Sequence, residues 1–76
     1  MPRKLAIPEH AHWTVKRLYE EMVARKITLE EASLDAGLSS GMIWRWGQST
    51  NPQIHNIEAA LNAVGLELRI VMRWEQ

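Results

Sequence analysis

Three histidines, an arginine set in an acid-free stretch and a run of small polar residues are the side chains here whose types could do chemistry. His10 and His12 lie two apart, a spacing that on a helix points them about 200° from each other, so they cannot hold one metal ion together. His55 has no visible cluster of ligand partners, and no cysteine is present to build a thiolate site. No serine, histidine and carboxylate are grouped in a way that argues nucleophilic or acid–base catalysis. What remains is binding chemistry. From Ala36 to Ile57 there is no acid, and that stretch holds Ser39, Ser40, Gly41, Trp44, Arg45 and the polar run Gln48-Ser49-Thr50-Asn51. Arg3, Lys4, Lys16 and Arg17 gather nearer the N-terminus, while Glu20, Glu21, Glu30, Glu31 and Asp35 fall between the two groups. The expectation is a local positive face, with no enzyme activity, no cofactor and no metal.

Size and composition bound the rest. Seventy-six residues make one domain. A chain this short buries only about 60% of the surface it exposes when unfolded, so its core is marginal. Without disulfides, stability must come from close helix packing or from association with a second copy. The hydrophobic content of 46% is globular rather than disordered. Nine basic and nine acidic side chains cancel, so bulk charge announces no nucleic-acid partner. No apolar run approaches the roughly 18 residues of a membrane span, and the N-terminal residues lack the apolar stretch of a secretion signal. A cytoplasmic chain with no membrane partner is expected, too small for its own deep catalytic cleft.

The elements must position the side chains named above. Residues 1–8 hold Arg3, Lys4 and two prolines and read as a basic arm. From Glu9 to about Lys26, Ala11, Val15, Leu18 and Met22 recur at helical spacing, with Glu9 and Arg25-Lys26 at the ends that suit the helix dipole. Thr28 followed by Glu31 is a capping box, which starts a second helix at Leu29; Ala32 and Ala36 share a face and Gly37 ends it. Ser39 is placed to cap a short third helix from Ser40 to about Gly47, with Ile43 and Trp46 facing inward. A fourth helix begins near Pro52 or Gln53, with Ile54, Ile57, Leu61 and Val64 as its stripe and Gly65 as its stop. Trp13 is expected in the core with Trp46. The period then changes to two: Leu66, Leu68, Ile70, Met72 and Trp74 alternate with Glu67, Arg69, Val71 and Arg73, a strand with one apolar face. The fold class is mostly α, four helices followed by one strand.

The segment from Leu29 to Gln48 resembles the helix-turn-helix of the lambda-repressor-like (XRE-type, Cro-like) DNA-binding family. Such a motif needs a glycine where the chain turns left-handed, and Gly37 supplies it. It also needs small or apolar residues where the helices touch, and Ala32, Ala36, Leu38, Ile43 and Trp46 occupy those places. Ser33 departs from the alanine usual in the family, although serine is nearly as small and can bond back to a helical carbonyl. Asn51-Pro52-Gln53-Ile54, with Ile57, Leu61 and Gly65-Leu66, is similar to the family's fourth helix, so the resemblance covers roughly residues 15–66. It implies that the third helix lies in the major groove, while the second helix and the loop after the third grip phosphate. Carried over, it puts Ser39, Ser40, Gly41, Trp44 and Arg45 on the DNA-facing surface. Arg45 would make a bidentate pair with guanine, Ser40 would bond a base or phosphate, and Gly41 would let the backbone come close. Trp44 would lie on a thymine methyl or, alternatively, mark a protein interface. Gln48, Ser49, Thr50 and Asn51 would donate to phosphates through side chains and amides. Arg3 and Lys4 would reach a groove or simply form a terminus.

A lone strand cannot satisfy its own backbone, and nothing else in the chain reads as one. Its simplest partner is the same strand of a second copy, paired antiparallel through Leu66, Leu68, Ile70, Met72 and Trp74. Some antitoxins and phage or plasmid regulators of the family look similar there. Residues 1–8 thus form the arm, 9–65 the DNA-binding domain with its motif at 29–48, and 66–76 the dimerisation strand. The expected function is a homodimeric, nucleoid-associated transcriptional regulator, a repressor that occupies an inverted-repeat operator. Its length leaves no ligand-sensing domain. The alternatives are the antitoxin of a toxin–antitoxin pair, which would add its strand to a toxin's sheet, and a protein-interaction adaptor without DNA affinity.

Overall fold

The computed structural model describes residues 5–48 and 50–73; Arg3, Lys4, Ser49 and Trp74, named above as site residues, lie outside the described residues. Among the described residues the chain forms four α-helices: α1 (Trp13–Arg25), α2 (Leu29–Ala36), α3 (Met42–Trp46) and α4 (Ile54–Ala63). α2 packs on α3 and α4, and α1 packs on α4. The core takes Val15, Leu18, Tyr19 and Met22 from α1, Ala32 from α2, Ile43 and Trp46 from α3, and Ile57, Ala60 and Leu61 from α4, with Val64 just after it. Each fully buried aliphatic side chain contributes roughly 1.5–3 kcal/mol relative to exposure. No helix among the described residues is long and apolar enough to cross a membrane.

Three of the helices stop by one device. At the end of α1 the Lys26 N–H donates to the Val23 carbonyl and the Ile27 N–H to the Met22 carbonyl. After α2, Gly37 and Leu38 make the same two bonds to Leu34 and Ser33, and after α4, Gly65 and Leu66 make them to Asn62 and Leu61. This is the Schellman arrangement, with the first residue left-handed and the second apolar. Gly37 (φ 73°) and Gly65 (φ 88°) adopt that backbone freely, whereas Lys26 (φ 58°) holds it against its Cβ. Ile27, Leu38 and Leu66 then fold back onto the core. At the other end of α2 the capping box is complete: Thr28 Oγ1 accepts from the Glu31 N–H at 3.1 Å, and Glu31 Oε1 accepts from the Thr28 N–H at 2.9 Å.

Several expected boundaries and facings move. α1 begins at Trp13 rather than Glu9, because the His12 Nδ1 accepts the Thr14 N–H and caps the helix there. Glu9 therefore lies outside the helix and does not complement its dipole. Trp13 is 66% exposed, not core: it precedes the inward face of α1, which runs through Thr14, Val15, Leu18, Tyr19 and Met22. α3 starts at Met42 with Gly41 at its cap position, and Ser39 contributes its backbone carbonyl to the Met42 N–H rather than a side-chain cap. Ile54 opens α4 but is exposed; the buried stripe is Ile57, Ala60, Leu61 and Val64. Ser33 does not bond back to a carbonyl: its hydroxyl is buried with no hydrogen-bond partner among the described residues.

Beyond Gly65 the chain carries no regular structure through Arg73, and no β-ladder is present among the described residues. The period-two pattern divides there. Leu66 and Leu68 pack on the core of their own chain, while Ile70, Val71 and Met72 project fully into solvent.

The orphaned Ser33 hydroxyl carries a desolvation cost that nothing among its neighbours offsets. Ser33→Ala removes the group while keeping the volume, so stability should rise by about 1 kcal/mol. Urea denaturation checks this: a higher midpoint at unchanged slope is expected, and a lower midpoint would mean that the hydroxyl is satisfied.

Candidate nucleic-acid interface

α3 has only five residues, too few for a helix to persist through its own hydrogen bonds. Its position comes from elsewhere. Ile43 and Trp46 anchor one side in the core. On α1, the buried Tyr19 hydroxyl donates to the Ile43 carbonyl at 3.0 Å, tying the start of α3 to the first helix. Gly47 completes the seat, since a Cβ there would lie 2.8 Å from the Tyr19 hydroxyl oxygen and 3.4 Å from Pro8 Cγ. The turn between α2 and α3 spans residues 37–41, with Gly37 left-handed and Leu38 anchored below it.

With that side fixed, the opposite side of α3 faces water. Trp44 is 53% exposed and Trp46 only 5%, so the two neighbouring tryptophans separate as surface and core. Ser39, Ser40, Arg45, Gln48, Thr50 and Asn51 are all exposed, and Gly41 is half-buried. These site residues therefore lie on the turn, on the free side of α3 and on the loop after it. Gly41 has a role that the sequence did not suggest. The Arg45 guanidinium folds back over it, and a Cβ there would meet Arg45 Nη1 at 3.1 Å. Gly41 makes room for Arg45 within the chain.

The loop differs from expectation in one respect. The Gln48 and Thr50 N–H groups both donate to the Arg45 carbonyl, at 3.0 and 3.2 Å, so those amides are not free to meet phosphate. The exposed side chains of Gln48, Thr50 and Asn51 remain available. Electrostatics narrows the site further. Arg25 and Arg17 both pair with Glu21 and hold its carboxyl below the usual glutamate range, so Arg17 does not add an unpaired charge beside Lys16. The first turn of α2 carries Glu30 and Glu31, which disfavours an anion there. Among the described residues no carboxylate lies within salt-bridge range of Arg45. On α3 and the loop after it, Arg45 is the one cationic side chain among the described residues.

Tyr19 and Gly47 escaped the sequence reading, although a helical signal for Tyr19 was present: it lies four residues after Val15 and three before Met22. Nothing in the sequence marks Gly47 as a close-approach glycine, because its backbone is ordinary and only the fold brings Tyr19 against it. Comparison with protein-family models, with characterised proteins and with solved structures finds no match to this chain.

Burial pushes the Tyr19 hydroxyl above its ordinary pKa of 10.0. The folded chain therefore holds that proton more tightly. The associated stability is intact below pH 10 and is lost as pH rises through the higher folded value. Tyr19→Phe should cost about 1–3 kcal/mol, because it leaves the Ile43 carbonyl buried without its donor. The loss should concentrate in faster amide exchange across α3, and the variant should lose part of the alkaline fall in stability. Uniform exchange protection in the variant would show that α3 does not depend on this bond.

Proposed function

We propose that this chain is a sequence-specific DNA-binding transcriptional regulator of lambda-repressor-like architecture, acting as a homodimer on an inverted-repeat operator. The observation that carries the reading is the division of α3. One side is locked into the core by Ile43, Trp46 and the Tyr19 bond, and the other presents Trp44 and Arg45 to solvent beside a small polar loop. A rigid short helix with an exposed arginine, held by a capped second helix and a left-handed glycine turn, has the shape and chemistry that major-groove readout requires. Arg45 is the base-reading side chain on this view, Trp44 supplies apolar contact, and Ser39, Ser40, Gln48, Thr50 and Asn51 hold the backbone. Ser49, Arg3 and Lys4 stand in the proposal on sequence grounds alone. Two such helices about a two-fold axis would meet half-sites roughly 10 bp apart or a multiple of that.

A second reading has one observation in its favour. The uncovered Ile70, Val71 and Met72 suit a protein partner, which would make the chain the antitoxin of a toxin–antitoxin pair that regulates its own operon. DNA binding is common to both readings. A pure adaptor would lack it.

Selection of bound sites from random duplexes tests the main reading, with recovery of an inverted repeat expected. Arg45→Ala should then cost ~1–3 kcal/mol on the selected site and relax preference at one base pair, with a much smaller loss on random DNA. Trp44→Ala should weaken binding while leaving the fold intact, whereas Trp46→Ala should destabilise the fold by ~3–5 kcal/mol. Absence of any retained sequence at low salt would make the chain an adaptor instead.

A further inference from the structure

The segment after Gly65 alternates charged with apolar residues, Glu67, Arg69 and Arg73 falling between Leu66, Leu68, Ile70 and Met72. We propose that residues 66–73 pair antiparallel with the same segment of a second copy, in the register that sets Ile70 opposite the Ile70 of the partner subunit. This rests on the homodimer reading above and deepens it by fixing the partner surface.

The single chain leaves an interrupted stripe. Leu66 and Leu68 are seated on the core, and the next two members of the same face, Ile70 and Met72, have no cover. Beside the seated part lies an open groove of about 320 Å³, whose apolar wall is Trp13, Leu61, Leu66 and Leu68 and whose charged rim includes Arg17, Glu67 and Arg69. The alternate positions of the sequence carry Glu67, Arg69, Val71 and Arg73, with Arg69 lying 3.4 Å from Glu67, and in a paired strand they would take the other face.

Keeping all apolar side chains on one face restricts the pairing to registers that move in steps of two residues. In-register parallel pairing puts Glu67 on Glu67 and Arg69 on Arg69, like charges in direct opposition. An antiparallel dyad at Arg69 again sets Arg69 against Arg69, and a dyad at Val71 sets Arg69 against Arg73. A dyad at Leu68 pairs Glu67 with Arg69 favourably, but its ladder ends near Ile70 and leaves Met72 uncovered. Among ladders that lie within residues 66–73, the dyad at Ile70 is the one that covers both Ile70 and Met72 without opposing like charges. It sets Glu67 against Arg73 twice by symmetry, Leu68 against Met72 twice, and Ile70 against itself. It uses the whole described segment, and it brings the second copy's methionine to the groove wall formed by Leu68. Val71 then lies against the aliphatic stem of Arg69.

The chain contains no cysteine, so single-cysteine variants of the full-length protein report this register cleanly. Directly opposite residues in an antiparallel pair have Cα atoms roughly 4.5–5.5 Å apart, within disulfide reach, whereas an offset of four residues puts them beyond about 13 Å. Under mild oxidation Ile70→Cys should run as a covalent dimer and Leu68→Cys as a monomer. In solution, Glu67→Arg should weaken dimerisation about tenfold or more, and adding Arg73→Glu should restore it. Crosslinking through position 68 instead, or a failed rescue in a chain that still dimerises, would overturn the register while leaving the homodimer reading standing. A wild-type chain that stays monomeric at micromolar concentration by light scattering would overturn both.

Discussion

The placement of α3 depends on one buried hydrogen bond and the close approach that accompanies it. A five-residue helix has almost no internal cooperativity, so its orientation is dictated by what holds it. Two inward side chains fix its depth, but two apolar contacts on a short helix leave rotation about its axis weakly defined. The bond from the Tyr19 hydroxyl to the Ile43 carbonyl adds a directional constraint from a different helix. Gly47 lets the phenol come near enough to make it. That rotation decides that Trp44 rather than Trp46 meets solvent, and so which chemistry the surface offers. The two tryptophans are only two residues apart, and their opposite fates follow the inward facing of Ile43 and Trp46 that this bond reinforces.

The turns contribute a second kind of order. α1, α2 and α4 each end in the same pair of backbone bonds, and each is followed by an apolar residue that returns to the core. In a chain with so small an interior this arrangement satisfies the last carbonyls and recruits connector residues into the core at the same time. Ile27, Leu38 and Leu66 thereby join a core that the helices alone would leave thin. The left-handed Lys26 shows that the device is maintained even where the residue is not suited to it, at the end of the longest helix.

Much of this was legible in the sequence. The capping box at Thr28 and Glu31, the stops at Gly37 and Gly65, and the inward facing of Ile43, Trp46, Ile57, Leu61 and Val64 follow from local rules about caps, left-handed glycines and helical spacing. The misreadings have a common physical source. At helix starts, where Glu9, Trp13, Ser39 and Ile54 were placed, competing acceptors and the overhang of a first turn decide the outcome, and periodicity carries no information about either. A serine at position 33 can bond back to a helical carbonyl, but its hydroxyl finds no partner among the described residues. The engagement of the Gln48 and Thr50 amides by Arg45 is likewise a property of the folded loop. After Gly65 the alternation was plain, yet alternation defines a face and leaves open what covers it. Leu66 and Leu68 take their cover from their own chain, and Ile70 and Met72 do not.

The charge arrangement links the size of the chain to the function proposed for it. With Arg17 and Arg25 held by Glu21, and with acids at the start of α2, the exposed side of α3 offers little positive charge beyond Arg45. Phosphate contacts are the main source of sequence-independent affinity for a duplex, so a single copy with so few would bind weakly at physiological salt. Weak non-specific binding also has a benefit, because discrimination is a ratio and improves when the background is low. In the proposed dimer, a second copy would resolve the conflict. Two weakly binding faces held in a fixed geometry act together at a high effective concentration, provided that the ribbon sets their separation to match the duplex. On that view the uncovered apolar residues after Gly65 and the polar surface of α3 answer one requirement. A small core and a weakly charged DNA-facing surface would both be completed by the proposed association.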